Sequence, residues 1–223
     1  MVKRLFDVVC AGLALVVTAP LIAVAAVGIK LTDRTGPVFY RARRVGYLGR
    51  EFTMFKLRTM RATADSGPVI TGHKDDRITP FGKLLRKTKV DELPQLFNII
   101  RGDMAIVGPR PEDPLIVRDH YSTHDLETLG VRPGLASPGS LYQFTSGDKV
   151  LTGDDPEGRY VDKLLKTKLA LDRVYIRKAS MRKDLAIVGR TLVAIGAVVV
   201  GKRKFAPPPE MQAARRLLAE DRS

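Results

Sequence analysis

The sequence predicts a mixed, helix-rich α/β protein of the monotopic membrane class. A re-entrant N-terminal membrane helix, broken at Pro20, is followed by a globule on the cytosolic face with a short β-hairpin and interfacial helices. Three observations carry this. An uncharged run from Val8 to Ile29 is long enough for a membrane helix. Strand and turn signals between Gly36 and Met60 mark a hairpin. Beyond Ile78, apolar residues return at helical spacing in several stretches. The expected organisation is the membrane helix over 1–33, the main folded domain over 34–203 and a flexible or amphipathic tail over 204–223.

Each element has its reason. Pro20 removes a backbone hydrogen bond inside the apolar run and is expected to kink or break the helix. Lys3 and Arg4 precede the run, and Lys30, Arg34, Arg41, Arg43 and Arg44 follow it. The positive-inside tendency then favours both flanks on the cytoplasmic side. A helix that enters and leaves by one leaflet satisfies both observations; a kinked full span is the competing reading. Ala23-Val24-Ala25 fits a small-residue cleavage pattern, but the apolar run continues past it to Ile29, against a signal peptide.

Gly36-Pro37-Val38-Phe39-Tyr40 opens a strand, Gly46-Tyr47-Leu48-Gly49 is a turn, and Glu51 to Met60 is a second strand. In that strand Met54, Lys56 and Arg58 share one face, a basic edge suited to a cleft, with a solvated edge as the competing reading. Residues 62–76 are polar and read as a loop. Ile78 to Lys89 holds a short helix, and Pro111 to Leu129 reads as another. Residues 145–159 are turn-rich and read as exposed. Leu164 to Ile176 and Lys183 to Val200 are helical, the latter ending in an apolar stretch too short to span alone. Pro207-Pro208-Pro209 breaks the chain before the tail.

Composition narrows the partners. The 223 residues can bury one good core, and the net charge of +14 implies an anionic partner: nucleic acid, phospholipid headgroups or phosphorylated substrates. Only 6% of residues are aromatic and none is Trp, a poor supply of stacking platforms for single-stranded nucleic acid. There is no zinc-finger spacing or RNP motif, so nucleic acid is not the expected partner. Cys10 is the only cysteine, so there is no disulfide framework. His120 and His124 stand at i, i+4, but acids flanking histidines on an exposed helix are common and no cysteine is near.

The most informative stretch runs from Lys89 to Glu112. Leu93, Leu96, Phe97 and Ile100 fall on one helical face, and Pro94 is tolerated only in a first turn, so a helix is expected to start near Val90 or Asp91. Gly102 marks its end. Asp91 and Glu92 would then sit at the positive end of the macrodipole. An ionised Asp can attack phosphorus, and a neighbouring Glu can help hold Mg²⁺ together with substrate phosphates. Ordinary helix capping is the competing reading of the same pair. Arg41, Arg43, Arg44, Lys56, Arg58, Arg77, Lys83, Arg86, Lys87, Lys89, Arg101 and Arg110 crowd this third of the chain, as a diphosphate site needs; a solvated basic face near anionic lipid is the alternative.

These residues resemble the monotopic phosphoglycosyl transferases, the bacterial sugar transferase family in its small monofunctional form. The similarity covers roughly 1–134 and returns over about 164–195. It lies in Arg4-Leu5-Phe6-Asp7, the Pro20 break, Gly36-Pro37-Val38-Phe39, Phe55-Lys56-Leu57-Arg58-Thr59-Met60 and Asp76-Arg77-Ile78-Thr79. It continues in Asp91-Glu92-Leu93-Pro94-Gln95-Leu96-Phe97-Asn98, Arg101-Gly102-Asp103-Met104, Val107-Gly108-Pro109-Arg110-Pro111, Arg132-Pro133-Gly134 and Leu171-Asp172 with Tyr175.

The resemblance implies transfer of a sugar-1-phosphate from a UDP-sugar to polyprenyl (undecaprenyl) phosphate at the cytoplasmic face of the bacterial inner membrane, releasing UMP. It implies Asp91 as nucleophile, Glu92 and Asp91 as holders of Mg²⁺, and Lys56, Arg58, Arg77 and Arg110 as phosphate or donor contacts. Pro109 and Pro111 would shape the nucleotide-side turn, with Arg132 in the same donor site. The product would enter glycoconjugate or exopolysaccharide assembly; a homodimer stays open. After Arg132-Pro133-Gly134 the chain departs from the family's usual Gly-Trp-Ala-Gln-Val-Asn-Gly-Arg pattern, so no residue of 135–160 is assigned a role. Two other readings remain: a non-catalytic, membrane-anchored basic module for anionic lipid or nucleic acid, and a sugar-nucleotide hydrolase on the same fold.

Overall fold

The computed structural model describes residues 2–62, 75–150 and 156–221. Its first element, α1 (Val2–Thr32), is long and apolar enough to cross a membrane. The expected break is not an interruption: Pro20 lies inside α1 and the helix runs through it. Losing one N–H leaves the flanking turns hydrogen-bonded, so the helix carries on past the defect.

The hairpin forms as expected. β1 (Phe39–Val45) pairs antiparallel with β2 (Glu51–Leu57), with Phe39 opposite Leu57 and Val45 opposite Glu51. The turn between them holds Leu48 at φ 55 and Gly49 at φ 75. β2 stops at Leu57, three residues short of the expected end at Met60. The loop expected over 62–76 lies largely outside the described residues.

α2 (Pro80–Thr88) starts on Thr79, whose hydroxyl accepts from Gly82 N at 2.9 Å. Gly82 has a packing reason: a Cβ there would come within 2.0 Å of Thr59 O. The helix expected from Val90 is divided. Val90–Glu92 is a 3-10 turn, and α3 (Gln95–Arg101) follows Pro94 and ends at Gly102 with φ 98. The buried Asn98 ties α3 to the hairpin: its amide donates to Thr53 O at 2.7 Å and its carbonyl accepts from Phe55 N at 3.0 Å.

A short parallel pair, β3 (Ala105–Val107) with β4 (Gly134–Ala136), went unseen in the sequence. Three-residue strands carry too little alternation to be read. Between them the helix expected over Pro111–Leu129 is two pieces, α4 (Pro114–His120) and a 3-10 turn at Asp125–Gly130. The Asp125 carboxylate takes Ser122 N and Oγ, at 2.9 and 2.6 Å, closing a local turn that competes with the helix.

The turn-rich reading of 145–159 is also corrected. α5 (Pro138–Val150) is helical through its polar end, and α6 (Pro156–Arg159) resumes after 151–155, which lie outside the described residues. A π-helical turn, Tyr160–Leu165, leads into α7 (Lys166–Arg177), then α8 (Met181–Val199). The last stretch forms α9 (Met211–Glu220), which packs on α7 through the fully buried Ala214, while Arg173 of α7 pairs with Asp221.

Both halves of α1 belong to the globule. Ala11, Ala14 and Leu15 pack with Met54, Leu96 and Ile99, whereas Ile22, Ala25 and Ile29 pack with Leu57, Phe81 and Leu85. Arg4 closes the end of α3, donating to Ile99 O at 2.6 Å and Ile100 O at 3.0 Å, where free carbonyls and the negative dipole end favour a cation. Lys3 reaches Asp184 of α8 at 2.6 Å, and Tyr175 donates to the same carboxylate at 2.6 Å.

Candidate active site

Asp91 and Glu92 are placed by a chain that turns without a loop. Lys89 ends α2 in the left-handed conformation, φ 60, its N–H bonding back to Arg86 O at 3.3 Å, and the 3-10 turn begins at once. A non-glycine residue there costs about 1–2 kcal/mol, and in return the carboxylates come directly off the end of α2. They lie one turn before α3, so side-chain cations, more than the α3 dipole, form their electrostatic setting.

Those cations converge on Glu92. Arg110 donates to it at 2.6 and 3.3 Å, Lys89 at 3.2 Å, and Lys56 lies 3.6 Å away. Glu92 is 7% exposed. Burial raises its pKa, but Arg110, Lys89 and Lys56 outweigh that and hold it well below the ordinary glutamate value. Asp91 is 6% exposed, and its Oδ1 is buried with no hydrogen-bond partner. It therefore does not cap a helix through that atom. Burial and then the charge of Glu92 push its pKa up, against Lys56, Lys89 and Arg86. The Lys56 ammonium is pushed down to about 8, by burial first, with Glu92 opposing.

Of the residues singled out from sequence, the structure brings together Asp91, Glu92, Lys56 and Arg110. Pro109 and Pro111 are buried on either side of Arg110, and Pro109 O accepts from Gly134 N at 2.8 Å, fixing the turn on the parallel pair. Arg58 is elsewhere. Its guanidinium donates to Asp33 Oδ2 at 2.9 Å and Asp33 O at 2.6 Å, tying the end of α1 to the hairpin. β2 ends one residue before Arg58, so the alternation that directs Lys56 no longer governs it. Arg77 pairs with Asp75, at 2.6 Å. Arg132 donates to Gly102 O at 3.0 Å and lies over the Tyr47 ring, bracing a turn.

Two residues counted only among the crowd of cations belong to the site: Lys89, on Glu92, and Arg86, whose pKa is lowered by burial but supported by Asp91. Their closeness in sequence to the Asp-Glu pair was the available signal. Phe144 of α5 was not foreseen at all; its ring lies 4.9 Å from the Lys89 ammonium.

Magnesium fits this donor set as a partner shared with a substrate. Mg²⁺ usually takes one or two protein carboxylates plus phosphate oxygens. Asp91 offers an unpartnered oxygen, and Glu92 Oε2 accepts only the long 3.3 Å contact from Arg110. Among the described residues no cluster of three or more His, Cys, Asp or Glu offers a fuller cage. Two carboxylates among Lys56, Lys89, Arg86 and Arg110 leave a positive surplus, which suits a phosphorylated ligand.

A family model described as bacterial sugar transferase matches residues 1–197. The chain is 39% identical over 198 residues to the UDP-glucose:undecaprenyl-phosphate glucose-1-phosphate transferase of Xanthomonas campestris pv. campestris, covering 86% of this chain and 38% of that protein. It is 37% identical over 197 residues to the protein of the same name from Caulobacter vibrioides, covering 86% and 69%. To the exopolysaccharide production protein ExoY of Rhizobium meliloti it is 35% identical over 214 residues, covering 87% and 85%. This chain thus spans about two fifths of the Xanthomonas relative and most of the other two. With the paired carboxylates, the Pro-Arg-Pro turn and the N-terminal helix all inside the matched region, the chain belongs to the bacterial sugar transferase family.

Proposed function

We propose that this chain transfers a sugar-1-phosphate from a UDP-sugar to undecaprenyl phosphate, releasing UMP, in an early membrane step of exopolysaccharide or other glycoconjugate assembly. The names of the relatives supply the substrate classes. The observation that carries the chemistry is the buried, unpartnered Asp91 Oδ1 beside a Glu92 held by Arg110, Lys89 and Lys56.

Asp91 attacks the β-phosphorus of the donor. The bond from that phosphorus to the bridging oxygen breaks, UMP leaves with the electron pair, and an aspartyl phosphosugar remains. An oxygen of the lipid phosphate then attacks the same phosphorus, and the bond to Asp91 breaks to restore the carboxylate. Burial raises the basicity of Asp91 and so its nucleophilicity. Lys56, Lys89 and Arg110 are fixed in place before reaction, where charge on the diphosphate needs neutralising. Asp91 and Glu92 would hold Mg²⁺ with the donor phosphates, and the ion supplies further charge neutralisation there.

The membrane reading is monotopic, on the cytoplasmic face of the bacterial inner membrane. Its support is that both ends of α1 are fastened to one globule, through Lys3 and Arg4 at one end and Asp33 at the other. Between Leu15 and Ile22, the nearest residues of the two packed halves, lies about 10 Å of helix. A bilayer core is about 30 Å thick. Leu13, Val16, Val17, Leu21, Val24 and Val27 remain exposed, an apolar face suited to lipid. On α8 the exposed Leu185, Leu192, Val193 and Val199, with Val200 just after it, add a second uncharged stripe, flanked by Arg182, Lys183 and Lys202.

The test is a half-reaction. With UDP-glucose or another UDP-sugar and Mg²⁺ but no lipid, UMP is released once per enzyme and then stops. Asp91→Asn abolishes this burst, and Glu92→Gln slows it. A sugar-labelled donor, quenched and digested, places the phosphosugar on the Asp91 peptide. Near-normal turnover by Asp91→Asn, or label on another peptide, sinks the covalent mechanism.

A further inference from the structure

Lys168 and Tyr160 are fully buried, ionisable and outside the chemistry described so far, at 0% and 1% exposure. Both bind one atom. Glu112 Oε1 accepts from the Tyr160 hydroxyl at 2.6 Å and from the Lys168 ammonium, while Lys168 Nζ stands 2.8 Å from the Tyr160 oxygen. Glu112 directly follows Pro111, and so lies two residues from Arg110, whose guanidinium grips Glu92. The same residue is held from the hairpin side: Glu112 O accepts from Val45 N at 3.0 Å, and the next residue, Asp113, pairs with Arg44 at 2.7 Å.

We propose that Lys168 and Tyr160 are positioning residues for the phosphosugar transfer: they clamp Glu112 behind the Pro109–Pro111 turn and thereby fix the Arg110 guanidinium on Glu92. Pro109 and Pro111 fix their own φ, and Pro111 keeps Arg110 out of the α region, so the turn is stiff and its orientation is set by what holds it. One end is held by Gly134 N on Pro109 O, the middle by the buried Asp172 carboxylate, which accepts from Arg110 N, and the other end is Glu112. A buried ion pair contributes little net stability compared with apolar side chains of the same size, because both charges lose their hydration. What it does supply here is a defined location for Glu112. Neither Lys168 nor Tyr160 has a hydrogen bond to Asp91 or Glu92 among the described contacts, so an effect on the reaction runs through Arg110, by way of Glu112 and of Asp172, which faces Lys168 and accepts from the Arg110 N–H.

The test has two arms, and only the kinetic one rests on the function proposed above. In the full chain in lipid nanodiscs, Tyr160→Phe removes one bond to Glu112 and keeps the ring. Lys168→Met is made together with Glu112→Gln, so that no uncompensated charge is buried. Hydrogen exchange of the 107–113 peptide is expected to speed up at least tenfold in both variants, with the α1 and α3 peptides unchanged. Exchange that rises equally in all these peptides, or does not rise at 107–113, overturns the proposal. In the kinetic arm, kcat/KM for UMP release with lipid acceptor falls about tenfold in each variant, with the loss in kcat. In the Arg110→Ala background the same changes cost nothing further. Equal losses with and without Arg110 mean that the clamp does not act through it, and also overturn the proposal. A wild type that releases no UMP from any UDP-sugar overturns the proposed function instead, and the exchange arm still decides the positioning.

Discussion

At the residue scale, position relative to Glu92 decides which cations matter. Lys56 and Arg110 are bound to that carboxylate inside the protein, whereas Lys204 is exposed beyond α8. Lys56→Ala and Arg110→Ala are each expected to lower kcat/KM by about a hundredfold, since each removes a charge-assisted contact at the transferring phosphate. Lys204→Ala is expected to change it little. Equal losses at all three positions in a UMP-release assay would point to general membrane attraction instead of a site. Arg58 makes the contrast sharper. Its sequence neighbourhood suggests a phosphate ligand, but its guanidinium is spent on Asp33. Arg58→Ala is expected to lower Tm while leaving kcat/KM of the folded protein within about threefold of wild type, as for a change outside the site. A hundredfold loss without a drop in Tm would restore Arg58 to the site.

At the element scale, the Pro-Arg-Pro turn depends on two strands that touch without side chains. A Cβ on Gly134 would lie 2.1 Å from Gly108 N, closer than any carbon can sit. Gly134→Ala must push β4 off β3, at a cost of about 1–3 kcal/mol for forced overpacking. Because Gly134 N also holds Pro109 O, activity is expected to fall together with Tm. Gly130→Ala, with open space around it, is the control expected to leave both near wild type. The junction of α1 and α3 is a second fulcrum. Ile99 is completely buried between them, and Ile99→Ala is expected to cost about 2–5 kcal/mol in urea unfolding. The hairpin, α2, α7 and α8 were legible because a period of two or 3.6 persists over enough residues. The division near Pro94 and the two pieces replacing Pro111–Leu129 were not, because local side-chain bonds such as Asp125 to Ser122 compete with the helix.

At the scale of the whole molecule, the question is how α1 meets the bilayer. Cysteines placed at Val2 and Thr35, in a Cys10→Ala background, are expected to be protected alike from an impermeant reagent added to intact cells. Labelling at position 2 alone would show a full span. The result is not guaranteed by hydropathy, which is the same for a span and a re-entrant helix. It follows from the contacts of Lys3, Arg4 and Asp33 with one globule.

The sequence by itself determined the family, the long apolar N-terminal helix, the hairpin and the Asp91–Glu92 pair. All of these are local: an uncharged run, an alternation, or a short ordered motif is written in consecutive residues. Tertiary structure decided the rest. It sent Arg58 to Asp33 and Arg132 to Gly102, brought Lys89 and Phe144 to the site, and set Lys168 and Tyr160 behind Glu112. A cation in a sequence has no address. Which anion it meets depends on where two distant elements cross, and Lys168 lies 56 residues from the carboxylate it holds. Burial follows the same rule. The packing that excludes water from Asp91 comes from folding, and it turns an ordinary carboxylate pair into one basic, unpartnered oxygen beside one clamped anion.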